Sequence, residues 1–153
     1  MGQLWYRWKF GGTSLDIALH NDFPSANLDE MQQVYASDGW MKHNTDIIRK
    51  VFNASTHVTI AKSNHRIVGF GRAISDGVVN AAIYDVVVHS DYQGMGIGKL
   101  IIEDLLHDLQ NVSCVHLIST TGNERFYRAA GFKKVNTSID GYLALILSEE
   151  YLE

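Results

Sequence analysis

At 153 residues the chain has the length of one domain, enough to bury roughly two-thirds of its surface around a single core. Its composition is that of a globular protein, 46% hydrophobic and 20% charged, and a net charge of -4 with no basic stripe argues against nucleic acid while suiting a small cationic substrate. The lone cysteine, Cys114, cannot close an internal disulfide, residues 1–10 lack the apolar region of a secretory leader, and no apolar run reaches the ~18 residues of a membrane span, so a cytoplasmic protein with no membrane partner is expected.

Residues 4–10 alternate loosely and stop at Gly11-Gly12, the pattern of a first strand. From 27 to 52 the period turns helical. Leu28, Met31, Val34 and Tyr35 share one face, Ile47, Ile48, Val51 and Phe52 make a second stripe, and Asp38-Gly39 separates two helices. Residues 57–62 meet 65–74 across Ser63-Asn64, and Asp76-Gly77 leads into 78–88, so the middle of the chain reads as an antiparallel meander. Arg72 and Asp76 are assigned to its hairpins. A glycine-rich loop, 93–98, then enters an amphipathic helix lined by Leu100, Ile101, Leu105, Leu106 and Leu109. Residues 115–119 form another strand, with Cys114 beside it as a small core residue rather than a nucleophile. Residues 123–130 make a short helix closed by Gly131, where a left-handed residue is wanted, and 132–135 and 141–147 supply the last strands. The order is a strand, two helices, a meander, then strand-helix-strand-helix-strands. It predicts a single α/β domain over 1–153, α+β in character, with one twisted and mostly antiparallel sheet of roughly six or seven strands and about four flanking helices.

A strand, a glycine turn and a helix amino end together make an anion site, because the first-turn N–H groups are free and the helix dipole adds about half a positive charge. The loop is not a Walker A sequence: Gln93 stands where glycine is needed and Leu100 where serine or threonine is needed. Nor is it a dinucleotide fingerprint, since Gly94, Gly96 and Gly98 have the wrong spacing and the chain is too short for two Rossmann halves.

The stretch 86–98, VVVHSDYQGMGIG, closely resembles the coenzyme A signature of the GCN5-related N-acetyltransferases (GNATs), with Gln93, Gly96 and Gly98 on its fixed positions. A second stretch, 123–132, is similar to that family's later motif, a helix carrying Phe126-Tyr127 followed by Gly131-Phe132. Ser90 stands where many members have proline, and Gln93 where many have arginine. The run 83–88 is most similar to arylalkylamine and plant-type serotonin acetyltransferases. The resemblance implies a GNAT-like sheet splayed at the cofactor, acetyl-CoA as co-substrate, and attack of a neutral primary amine on the thioester in a ternary complex. A non-catalytic acyl-CoA sensor and a protein or peptide N-acetyltransferase are the alternatives.

The likeness also places the cofactor. Its phosphates fall to Gln93, Gly94, Met95, Gly96, Ile97, Gly98 and Lys99, its pantetheine arm to Val86, Val87 and Val88, and further contacts to Asn123, Phe126 and Tyr127. A backbone N–H near Val86 can face the thioester oxygen. Tyr127 is the candidate general acid, its alternative a packed aromatic beside Phe126. Asp85 lies inside an apolar strand, where an unpaired carboxylate is costly; it is either a general base or a structural partner for a neighbouring strand or Arg72. Strand alternation puts it opposite Tyr84, Val86 and Val88. His89 and Tyr92 can pass the amine's proton through water or simply sit at a strand end. Tyr35, Trp40, Met41 and Tyr84 are candidates for the acceptor pocket, with core packing the other reading. The histidines show no ligand spacing, so no metal is expected, and exposed strand edges make a homodimer plausible.

Overall fold

The computed structural model describes residues 4–10, 13–139 and 142–148; Gly11, Gly12 and Gly141, named above, lie outside the described residues. One eight-stranded sheet runs through them in the order β1-β2-β3-β4-β5-β6-β8-β7. β1 (Leu4–Phe10) and β2 (Thr13–His20) form an antiparallel hairpin at one edge. β2 is the strand missing from the predicted order. Its Leu15, Ile17 and Leu19 do alternate, and Ile17 and Leu19 are buried, but Asp16 breaks the apolar look of the run while pairing with Arg7 at 2.8 Å.

α1 (Leu28–Ser37) and α2 (Thr45–Asn53) cover one face. Each starts on an asparagine whose side chain accepts first-turn N–H groups, Asn27 from Asp29 and Glu30, and Asn44 from Ile47. The meander follows as β3 (His57–Ser63), β4 (Arg66–Ser75) and β5 (Asn80–Val88). Its first turn lies one residue later than expected: Ser63 pairs with Arg66, and Asn64 and His65 take φ +48° and +67°, the two left-handed positions of a hairpin turn. In the second turn the Asp76 carboxylate accepts the N–H groups of Val78, Val79 and Asn80. Val78 and Val79 are thereby drawn into the turn, and the strand starts at Asn80.

α3 (Ile97–Asp108) and α4 (Glu124–Ala129) lie after β5 and β6 (Cys114–Thr120), and β7 (Lys133–Ile139) and β8 (Tyr142–Ser148) close the far edge. Cys114 is partly buried with a free thiol. Gly131 takes φ +100° after α4, as its place in the sequence predicts. Apolar side chains gather on both faces. Ile101, Ile102 and Leu105 of α3 pack with Ile83, Leu117 and Phe132, and Met31, Val34, Tyr35, Ile48 and Phe52 of α1 and α2 pack with Ile60, Phe70 and Val87. Among the described residues no helix is long and apolar enough to cross a membrane, and no group of His, Cys, Asp and Glu is arranged to hold a metal ion.

Candidate active site

The site begins with a break in the sheet. β5 pairs with β6 in parallel from Asn80↔Cys114 to Ile83↔Leu117 and no further. β6 continues beside β8 to Thr120, while β5 continues to Val88 held by β4 alone. Among the described residues, the β5 edge from 84 to 88 therefore presents unpaired backbone groups toward a widening gap.

A bulge causes the divergence. Phe70 faces Val87 and Arg72 faces Tyr84, so Asp85 and Val86 together oppose the single residue Gly71. Asp85 takes φ +52°, the left-handed first position of such a bulge, which aspartate tolerates better than most residues. The extra residue overturns the expected alternation. Ile83, Val86 and Val88 all pack on the α3 side and Val87 on the other. Tyr84 and Asp85, expected on opposite faces, both meet Arg72: its Nε donates to Asp85 Oδ2 at 2.7 Å, and its Cζ lies 4.9 Å from the Tyr84 ring centroid. Arg72 thus belongs to the bulge rather than to the hairpin, and its second hand reaches Ser55 Oγ at 3.3 Å. Both charged side chains are only 12% exposed, so removing one partner would strand the other in a poorly solvated place.

Close by, Tyr35 is fully buried against Phe70 and stacked on His43, ring centroids 4.2 Å apart. Burial first, and then the Asp85 carboxylate, push its phenol well above the usual range. The hydroxyl is near enough to feel that charge, yet no well-formed hydrogen bond reaches it, and the buried His43 Nδ1 also has no hydrogen-bond partner among the described residues. Tyr35 is thus the floor of the proposed acceptor wall rather than its surface. Trp40 (40%), Met41 (77%) and Tyr84 (45%) are exposed and available. Tyr84 also lines a shallow groove with Ile74, Ser75, Ala82 and His116. His43 was not picked from the sequence, where nothing distinguishes it from the other histidines.

On the other side of the gap lies the glycine loop. Gly94 and Gly96 take φ +77° and +83°, so each position needs glycine. Gly96 is the N-cap of α3 and offers no side-chain acceptor, and the first turn holds no acidic residue. The amide N–H groups at 97–99 therefore keep their capacity for an external anion, with Lys99 beside them. Nothing lies within 4 Å of where a Cβ on Gly94 would stand, so the loop is open to a ligand. Gly98 is glycine for another reason: its Cβ would come 3.3 Å from Phe126 Cζ. That contact sets α4 against the start of α3, above a cleft lined by Lys99, Ile102, Glu103, Phe126, Ala129 and Ala130. The loop and the free strand edge together fit a cofactor with an anionic end and an amide-bearing arm.

Tyr127 follows Phe126 on α4, its ring edge-on to Phe126 at 4.9 Å and to Phe132 at 6.0 Å. Burial pushes its phenol up to about 12, so the hydroxyl carries its proton throughout the neutral range. Asn123 stands at the N-cap position of α4 without a side-chain capping bond, and its amide donates to Thr120 Oγ1 at 3.0 Å. His89 is committed locally: its Nδ1 accepts the Asp91 N–H at 3.1 Å, capping the short 3-10 turn Ser90–Tyr92. An amide can only donate, so the lone pair that a proton acceptor would use is already engaged. Tyr92 packs on the α3 cluster. The Gln93 side-chain amide donates to Asp38 Oδ1 at 3.0 Å and to the Val88 carbonyl at 2.9 Å.

Known proteins resemble this chain in sequence and fold. Residues 27–141 match the family described as an acetyltransferase (GNAT) domain. The chain is 36% identical over 135 residues to the uncharacterized N-acetyltransferase ycf52 of Porphyra purpurea, covering 82% of this chain and 75% of that protein. It is 31% identical over 131 residues to serotonin N-acetyltransferase 2, chloroplastic, of Oryza sativa subsp. japonica, covering 82% and 66%. Among solved structures, the ribosomal-protein-S18-alanine N-acetyltransferase of Escherichia coli matches with a TM-score of 0.72 at 15% identity, over 86% of this chain and 93% of that one. A GNAT family acetyltransferase of Elizabethkingia anophelis with acetyl-CoA bound matches with a TM-score of 0.67 at 15% identity, over 86% and 97%. At such identities the two structures speak for the fold.

Proposed function

Because the chain belongs to the GNAT acetyltransferase family, its chemistry is acetyl transfer, and we propose that it moves the acetyl group of acetyl-CoA to a primary amine by direct attack with both substrates bound. The chief support is one junction: a free β5 edge over 84–88 leads to an uncapped helix amino end at Gly96, and Phe126, next to Tyr127 on α4, packs on Gly98 at the start of that helix.

Acetyl-CoA, when bound, supplies an activated thioester carbonyl. Gly94, Gly96, Gly98 and Lys99 would hold its phosphates, and the backbone of 86–88 would hold its pantetheine arm as an added strand would be held. A backbone N–H near Val86 is the natural oxyanion donor, a contact worth ~10²- to 10³-fold in rate. Tyr127 donates to the sulfur as it leaves. Asp85 receives the amine's proton on the carboxylate oxygen that Arg72 does not hold, since the one lone pair of His89 is engaged at Nδ1 and Asp85 lies at the head of the free segment. Arg72 keeps that carboxylate in place.

The acceptor is a small arylalkylamine or polyamine. Exposed Trp40, Met41 and Tyr84 offer apolar and π surface to an amine's body, and the rice relative carries serotonin in its name. The test is release of free thiol from acetyl-CoA across tryptamine-like, polyamine, aminoglycoside, amino-acid and peptide acceptors. Turnover with an arylalkylamine or polyamine above the hydrolysis background supports the proposal; turnover with peptides alone overturns the acceptor class. Failure to bind acetyl-CoA would overturn it entirely.

A further inference from the structure

The carboxyl end of α1 is tied to the cofactor loop by side chains that the acetyl-transfer chemistry does not use. Besides the Gln93–Asp38 bond, the Ser90 N–H donates to Ser37 Oγ at 3.1 Å, and that hydroxyl donates onward to the Val34 carbonyl at 2.7 Å. Ser37 is the last residue of α1 and Asp38 its C-cap. A carboxylate there faces the negative end of the helix dipole, where a cation would be favoured. The donor that offsets this is the Gln93 amide, 55 residues further along the chain. An acid that the helix itself disfavours, bridged to a distant loop, serves the bridge.

Beyond Asp38 the chain turns through Gly39 at φ +87° into Trp40, whose N–H returns to the Tyr35 carbonyl at 2.9 Å. The Trp40 ring lies 5.4 Å from His43, which stacks on buried Tyr35. The last turn of α1 is therefore one packed unit. It carries the acceptor wall on one side and grips the approach to Gly94 and Gly96 on the other.

We propose that Ser37 and Asp38 are positioning residues that hold the acceptor wall in register with the cofactor loop, so that ordering the loop also orders Trp40 and Met41. The proposal rests on the acetyl-transfer reading above. Gln93, in this assignment, uses its side chain for the bridge and leaves phosphate recognition to the backbone. Cofactor and amine then reinforce each other's binding, and by linkage the factor is the same in both directions.

The experiment titrates tryptamine, or whichever panel amine turns over, into the full chain with and without saturating coenzyme A. The wild type should bind amine at least about 5-fold more tightly with coenzyme A present, the lower end of usual coupling. Asp38→Ala should bring that ratio close to one and raise the amine KM, with the acetyl-CoA KM at saturating amine rising by the same factor and kcat staying near the wild-type value. Asp38→Asn should restore the ratio, because an amide oxygen accepts the same bond. Ser37→Ala should lower it in part, and it serves in place of Asp38→Ala should that variant not fold. A lowered melting temperature with the ratio unchanged in Asp38→Ala and Ser37→Ala would make these residues merely structural and overturn the proposal, as would a wild-type ratio of one. A wild type that neither binds coenzyme A nor turns over would instead defeat the acetyl-transfer reading itself.

Discussion

The two faces of the sheet are built by opposite means. On the α3 side, space is the constraint: a Cβ on Gly71 would stand 2.8 Å from Ile101 Cγ2, and one on Gly98 3.3 Å from Phe126. Apart from Tyr127 and Lys99, the groups proposed to work there are main-chain ones, the N–H groups behind Gly96 and the free edge of β5. On the α1 and α2 side, the working groups are side chains held where they are costly. Arg72 and Asp85 form a nearly buried pair, Asp85 has a left-handed backbone, and Tyr35 and His43 bury polar atoms without partners. At the glycines of the first face an added atom is the change that should tell first, and at the charged pair of the second a change of charge.

The sharpest way to break that contrast is Asp85→Asn. It keeps the shape and a hydrogen-bond acceptor for Arg72 but removes both the base and the charge opposite the guanidinium, so the fold should lose stability, and kcat per folded molecule should fall ~10²- to 10⁴-fold while acetyl-CoA affinity stays at the wild-type value. Normal turnover would reduce Asp85 to a strut of the bulge and pass the proton to water. Next comes Gly98→Val, which drives a branched side chain into Phe126. Overpacking of about 1–3 kcal/mol should weaken acetyl-CoA binding roughly 10- to 100-fold by equilibrium titration, with kcat kept at saturation. If kcat fell and affinity held, the division between the faces would be wrong. Gly71→Ala should leave both ligands alone and lower unfolding stability by about 1–3 kcal/mol, read from urea midpoints, since the added methyl meets Ile101 and Leu105 in a filled core.

The same contrast explains what the sequence could tell. Glycine spacing over 94–98 and the Phe126-Tyr127 helix are local signals of backbone geometry, and the loop, α3 and α4 stand where they predict. The bulge was not legible: nothing in residues 83–88 announces that a strand holds one residue too many, so alternation put Asp85 and Tyr84 on opposite faces although both meet Arg72. β2 was legible through Leu15, Ile17 and Leu19 but was masked by Asp16, whose charge turns outward to Arg7. Ser37 and Asp38 look like an ordinary helix stop until Gln93 is seen across from them. Contacts between residues far apart in the chain have no period, and an acceptor wall consists of little else.

The smallest expected effect concerns Tyr127, the one proposed catalytic side chain on the crowded face. Its phenol is pushed up to about 12 by burial, against about 10 in an unfolded chain. Above pH 10 the unfolded state gives up this proton before the folded state does, so the unfolded state binds fewer protons and stability falls with rising pH. Below pH 10 both states keep the proton and the dependence vanishes. The shift corresponds to on the order of 1 kcal/mol lost by pH 11. Tyr35, also raised, contributes a loss of the same sign, so the wild type must be compared with Tyr127→Phe rather than read alone. Urea unfolding at closely spaced pH values should show the variant losing less stability than the wild type between pH 10 and 12, and matching its pH dependence below 10. Parallel curves across the whole range would mean that the phenol reaches solvent, and that the crowded face opens where its one proposed proton donor sits.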